Sequence, residues 1–354
     1  METYICGTGL ISPQKTFFNN DFLSEIVEYE SNFLCCIEPD YKDFLEPSIA
    51  RRMGRTVKMS IATAKICLKD AGIEIPDAIV TGSALGCMEA TENFLLSMIN
   101  EDEKFLSPTP FMQSIHNAIG AQIALQLKCM NYNFTFVHRG FSFENAVLDG
   151  MMLLAEGSAE NVLIGGHDEM TERNFTIYDN VGCWKKNNTS AMQLINSTTN
   201  GTIAGEGAAF FALSNQVSER NIATLKGIKT IYKPANQIEI ENKISELLGE
   251  NKLTAEDIDV VIYGISGDAR FDHSFYHVKD NYFVNNTSTW YKHLCGEYQT
   301  SSGFAMWMAA MMCKMQTIPS KVLIGENNRK TIKHIIIYNS FRNIHHSLFL
   351  ISRC

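Results

Sequence analysis

Residues 133–164 constrain the fold of this chain more than any other stretch. A short β-rich run at 133–137 is followed by a helical pattern at 143–156 and then by Asn161-Val-Leu-Ile164, which is apolar without alternation. A strand lacking polar alternates is covered on both faces. Strand, helix and strand within about thirty residues make a βαβ unit whose strands run parallel in one sheet. The chain is therefore α/β, with helices on both faces of the sheet.

The same alternation runs through the rest of the chain. Residues 4–12 read as a first strand ending at Pro13. Ile49, Met53, Val57, Ile61, Ala64 and Leu68 recur at helical spacing from Pro47 to a stop at Ala71-Gly72. A strand at 79–83, a helix at 117–127 and a strand at 208–213 complete a first half. A helix at 236–248, a strand at 259–263, a buried helix at 302–315 and terminal strands at 335–338 and 347–351 form a second. No linker rich in Pro, Gly or Ser divides them, so residues 1–213 and 214–354 are expected to share one compact unit.

Composition excludes several classes of function. With 45% hydrophobic and 19% charged residues, 354 residues can bury a large core, which rules out disordered and fibrous chains. Lys+Arg 30 against Asp+Glu 39 gives −9, a balance that leaves no general field for nucleic acid. The opening Met-Glu-Thr-Tyr-Ile-Cys lacks the pattern of a secretory signal, and the longest nearly uncharged apolar run, 303–313, falls short of the roughly 20 residues of a membrane span. Ten scattered cysteines without a Cys-x-x-Cys pair read as reduced thiols of a cytoplasmic protein, with no metal site.

Seven segments in order carry a resemblance. They are Tyr-Ile-Cys-Gly-Thr-Gly-Leu-Ile-Ser-Pro at 4–13, Arg51-Arg52-Met53 leading to Asp70-Ala71-Gly72, Gly165-Gly166, and Gly205-Glu206-Gly207-Ala208-Ala209. Tyr263-Gly264, Lys292 with Gly303 eleven residues on, and Asn339-Ser340-Phe341 follow. Together they resemble the β-ketoacyl-ACP synthases. That resemblance implies a thiolase-like five-layered αβαβα fold of two pseudo-equivalent halves, normally dimeric, with no cofactor of its own and a carrier-bound phosphopantetheine thioester as substrate.

The catalytic positions depart from the family. Its nucleophilic cysteine sits where a strand turns into a helix, a setting that favours the thiolate. Here that turn reads Val137-His138-Arg139-Gly140-Phe141-Ser142-Phe143-Glu144, which puts Gly140 in the nucleophile's place. The same alignment gives Tyr263 for the first histidine and Glu297, five residues after Lys292, for the second. The glycine-rich gate is replaced by Asn339-Ser-Phe341-Arg342, and only Lys292 is retained of the polar set. Two imidazoles normally stabilise the enolate formed on decarboxylation, whereas a carboxylate would repel it.

These losses resemble chain length factors, the silent partners of active ketosynthases, and the Val137–Glu144 turn with the Phe-Met-Gln-Ser-Ile-His-Asn segment at 111–117 most resembles the short ketosynthase-like proteins of aryl polyene and flexirubin-type clusters. The function implied is a non-catalytic subunit that pairs with an active ketosynthase, serves an acyl carrier protein and shapes the acyl tunnel. A divergent acyltransferase or thioester hydrolase, and a homodimeric carrier-docking scaffold, are the alternatives. Phe111, Met112, Ser114 and His116 are the expected tunnel and interface residues, with His116 equally readable as a satisfied interface histidine. His138 and Arg139 could bind a carboxylate or phosphate, but a salt bridge from Arg139 to Glu144 is the favoured reading. Ser142 could replace the nucleophile, though a serine here is more often a helix cap. Glu297 is expected to pair with Lys292.

Overall fold

The computed structural model describes residues 2–18, 21–327, 329 and 331–354. Among these, eleven strands form one sheet in the order β3-β2-β4-β5-β1-β6-β11-β10-β7-β8-β9. They are β1 (Thr3–Ile11), β2 (Ala78–Gly82), β3 (Tyr132–Phe136), β4 (Asn161–Asp168), β5 (Gly207–Ser214) and β6 (Ala223–Tyr232). The others are β7 (Val260–Tyr263), β8 (Thr287–Trp290), β9 (Leu323–Ile324), β10 (His334–Phe341) and β11 (His345–Ser352).

The order contains a duplication. In β3-β2-β4-β5-β1, β2 runs parallel to β3 and β4, and β5 antiparallel to β4 and β1. In β8-β7-β10-β11-β6 the pattern recurs, with β7 parallel to β8 and β10 and β11 antiparallel to β10 and β6. The two sets join where Thr3 to Ile5 of β1 pairs with Leu225 to Ala223 of β6.

Three apolar cores separate five layers. Helix Arg55–Ala71 packs on β1 and β5 and beside Ala118–Leu127, forming one outer core. Helices Gln237–Glu250 and His273–Asn281 cover the other outer face. Between the sheet halves lie helices Ser142–Ala155 and Ser302–Met315, the latter touching β1 and β5 as well as β10 and β11. Every residue from Ser302 to Cys313 is buried, as a helix apolar on all sides requires. Gly303 permits this closeness, since a Cβ there would lie 2.9 Å from Ala209 Cβ. This is the thiolase-like αβαβα arrangement.

Two details differ from the sequence reading. The helical pattern from Pro47 breaks after the short turn Pro47–Ala50, and Gly54 caps a separate helix, Arg55–Ala71, that ends on Gly72 at φ 71. Strand β6 and the helices Met88–Asn100 and Pro108–Ser114 went unread. The two helices bury too little for a period to show: Ala90 is the one buried residue of the first, and the second has none. No helix among the described residues is long and apolar enough to cross a membrane.

Candidate functional site

Ligands of α/β sheets bind beyond the carboxyl ends of parallel strands, and the departures from the family gather there. β3 leads through His138 into the 3-10 turn Arg139–Phe141 and the central helix Ser142–Ala155. Gly140 is buried in that turn. A Cβ on it would stand 2.8 Å from Phe341 Cβ and 3.1 Å from His345 Cβ, so the end of β10 and the start of β11 fill the space a nucleophile would use. The His345 ring packs edge-on to Phe141 at 4.8 Å.

Ser142 is wholly buried. Its Oγ accepts from the His138 amide at 2.8 Å and donates to the Arg139 carbonyl at 2.9 Å, so it fastens the turn and has no base on it. His138 is exposed, with Nδ1 3.1 Å from Asn145 Nδ2. The expected Arg139–Glu144 salt bridge does not form. Arg139 is exposed with φ 49, whereas Glu144 lies inside the central layer, where Oε1 accepts from Ser302 Oγ (2.7 Å) and Ser347 Oγ (2.9 Å).

Glu144 Oε2 has no partner, and burial pushes the carboxyl up to about 7. A carboxyl raised in the folded state favours the protonated form there. The resulting cost is absent below the unfolded value near 4.5, grows as pH rises, and is complete above about 7. Glu144→Gln is therefore expected to stabilise the protein at pH 8 by at most about 3 kcal/mol, with the gain fading toward pH 4. Urea midpoints at the two pH values measure this; equal shifts at both would remove burial of the acid as the cause.

Lys292 and Glu297 do meet. Lys292 Nζ donates to Glu297 Oε2 at 2.6 Å and to the Ser340 carbonyl at 3.0 Å, and both side chains are buried. Burial pushes the Glu297 carboxyl up, against the pull of Lys292, and Oε1 is left without a partner. Gly264 faces this pair: a Cβ there would be 3.4 Å from Lys292 Cε and 2.6 Å from Asn339 Oδ1, which accepts from Tyr291. Tyr263, one residue earlier, points the opposite way into the outer core with Phe275 and Trp290. Phe111, Met112, Ser114 and His116 are remote from this cluster in kind. They lie on or just after Pro108–Ser114, with Phe111 52% and Met112 58% exposed, and the Phe111 ring rests on Phe94.

Glu297, Ser340 and Phe341 line a narrow cleft whose other walls include Tyr178, Cys183, Trp184, Arg270 and Arg342. Arg342 lies over the Tyr178 and Phe341 rings, at 5.4 and 5.5 Å. The sequence reading missed this cleft. The signal for it was Arg342 itself, an arginine where the family carries glycine. Among the described residues, no group of three or more His, Cys, Asp or Glu is placed to hold a metal.

A duplicated αβαβα sandwich is the thiolase-like scaffold of the ketosynthases. Residues 37–243 match the family model for the beta-ketoacyl synthase N-terminal domain, and the chain belongs to that family. A curated relative, "Putative polyketide beta-ketoacyl synthase 1" of Streptomyces virginiae, is 26% identical over 223 residues, 58% of this chain and 51% of the relative. The match thus spans about half of that relative's length. Among solved structures, the ishigamide ketosynthase/chain length factor is similar with TM-score 0.82 and 15% identity, covering 100% of this chain and 99% of the other. A β-ketoacyl synthase from Burkholderia phymatum gives 0.78 at 14% identity, with 100% and 99% covered. A ketosynthase in complex with its chain length factor from Xenorhabdus doucetiae gives 0.76 at 12%, with 100% and 98% covered. At these identities the structures share the fold.

Proposed function

We propose that this chain is a non-condensing, chain-length-factor-like subunit that pairs with an active β-ketoacyl-ACP synthase in the cytoplasm and shapes its acyl tunnel in aryl polyene-like biosynthesis. The observation that carries the reading is the closed nucleophile site. Gly140 is packed against Phe341 and His345, and Lys292 is neutralised by Glu297, so neither a thiolate nor an enolate-stabilising donor is available there.

The surface supports pairing. β3 is the open edge of the sheet, and Tyr132, Phe134 and Val137 on or beside it are 44–46% exposed. Helix Ala118–Leu127 packs on β3 and on Pro108–Ser114, so the edge continues into exposed Phe111, Met112 and Ile115. An unpaired edge strand with a wide apolar border is a surface that demands a partner. An acidic acyl carrier has a counterpart close by. Arg51, Arg52 and Lys58 line one cleft with Gln113 and Glu89, where Arg55 is already paired with Glu38 and Glu206, leaving a modest local excess of positive charge in a chain of net charge −9.

Co-expression with an active ketosynthase and analysis of product length test the proposal. Ser114→Trp is expected to shorten the product. Phe111→Ala or Met112→Ala should lengthen it, because a growing chain gains roughly 0.8 kcal/mol per buried methylene. The reading fails if the partner makes the same products without this chain, or if all three substitutions leave length unchanged.

A further inference from the structure

Three segments far apart in sequence bring positive charge to one corner of the surface. His138 and Arg139 come from the turn before the central helix, Lys233 follows Tyr232 at the end of β6, and His345 opens β11 directly opposite Tyr232 in the sheet. His138, Arg139 and Lys233 are exposed, and neither Arg139 nor Lys233 forms a salt bridge among the described residues. Backbone contacts fix where they sit: Ser142 Oγ ties the His138 amide to the Arg139 carbonyl, and the Lys233 amide donates to the Ile344 carbonyl at 2.7 Å. The His345 ring lies among them, 5.3 Å from Tyr232, 4.8 Å from Phe141 and 6.3 Å from His138, while Lys233 Nζ stands 5.2 Å from the Tyr232 ring. His345 is only 5% exposed, yet its Nδ1 has no hydrogen-bond partner. Burial pushes its pKa down, and the charges of His138, Arg139 and Lys233 push it the same way. A buried imidazole without a partner, ringed by cations without counter-ions, describes a place that lacks an anion.

We propose that this corner binds the phosphate group of a small phosphate monoester, with Arg139 and Lys233 on its oxygens and the imidazoles of His138 and His345 as further donors. Charge selects the ligand class. The permanent charges of Arg139 and Lys233 match a phosphate dianion, whereas a carboxylate would neutralise only one of them. A neutral imidazole carrying its proton on Nδ1 is a donor that a phosphate oxygen satisfies. Tyr232, 58% exposed at the same corner, gives the organic part of the ester an aromatic face. An extended polyanion is disfavoured by the net charge of −9, which leaves a compact anion as the fitting ligand. Binding of this kind needs no partner subunit, so it stands or falls apart from tunnel shaping.

The full chain is titrated with phenyl phosphate, inorganic phosphate, acetate and phenol by isothermal calorimetry. Saturable binding of the two phosphates is expected, tighter for the phenyl ester and weakened by added chloride, with none of acetate or phenol. Arg139→Gln and Lys233→Gln should each weaken phenyl phosphate by about tenfold or more, since each removes a charge-assisted hydrogen bond. Arg139→Lys should lose less, and Lys252→Gln, an exposed lysine elsewhere, should change nothing. Histidine resonances give an independent readout: phenyl phosphate should raise the pKa of His345, because a bound dianion offsets the three cations that depress it, and His345→Phe assigns the signal. No saturable binding, equal affinity in wild type and both glutamine variants, or a His345 titration that phosphate leaves unmoved would overturn the proposal. Both glutamine substitutions are at exposed positions, and thermal melting without ligand checks that each variant is folded. Product length in the co-expressed pair is read separately, so a failure here leaves the subunit reading intact and the reverse also holds.

Discussion

Lys292→Met is expected to lower the stability of this protein by about 3–5 kcal/mol, because it strips the counter-ion from a buried carboxylate. Glu297 Oε2 receives its one short hydrogen bond from Lys292 Nζ at 2.6 Å, and Oε1 has none. After the substitution, the folded state must either bury the charge alone or hold a proton. The deficit should therefore shrink toward pH 4, where the unfolded chain is protonated too, and grow toward pH 8. Lys292→Met combined with Glu297→Leu should recover most of the loss, since replacing both members of a buried pair by apolar groups is often neutral. Urea unfolding of the single and double variants gives the coupling. A single-variant cost under about 1 kcal/mol would show that the pair does not hold the closed site together.

How much of this was legible depended on what each residue had to satisfy. The apolar run in β4 and the helix Ser302–Met315 could be read because full burial leaves no polar alternates, and both lie at the centre of the molecule. The interruption at Gly54 could not. Ile49 and Met53 keep the helical period on either side of a turn in which the backbone changes course. The Lys292–Glu297 contact was readable only through the family resemblance, in which both positions are polar neighbours; in the structure Gly296, at φ 74, lies in the turn that brings them together. Tyr263 shows the opposite case. Counting along a motif placed it beside the reacting centre, but strand alternation sends Val261 and Tyr263 to the outer core and leaves Gly264 facing Lys292. Arg139 was read as a buried partner of Glu144, yet the two serines that hold Glu144 come from residues 302 and 347, far off in sequence.

Gly140→Cys, the substitution that restores the family's nucleophile, is expected to destabilise the fold and to yield no condensation. The new Cβ would lie 2.8 Å from Phe341 Cβ and 3.1 Å from His345 Cβ, a separation that forces one of the two strand ends to move, before any space is found for sulfur. Overpacking of this kind costs about 3 kcal/mol. Phe341 is the residue to remove: Gly140→Cys with Phe341→Gly should regain most of the stability, because the tightest contact disappears while the ring lies at the partly exposed end of β10. The double variant separates packing from chemistry. Even where the thiol is accommodated, the pair Lys292–Glu297 presents a carboxylate where an enolate would form, and Gly264 offers no side-chain donor. Malonyl thioesters should therefore release no carbon dioxide above background with either variant, while thermal melting shows the single variant lowered and the double one restored. Decarboxylation by the double variant would mean that loss of the cysteine alone silences this scaffold, and the ion pair beneath it would have to be reassigned a purely structural role.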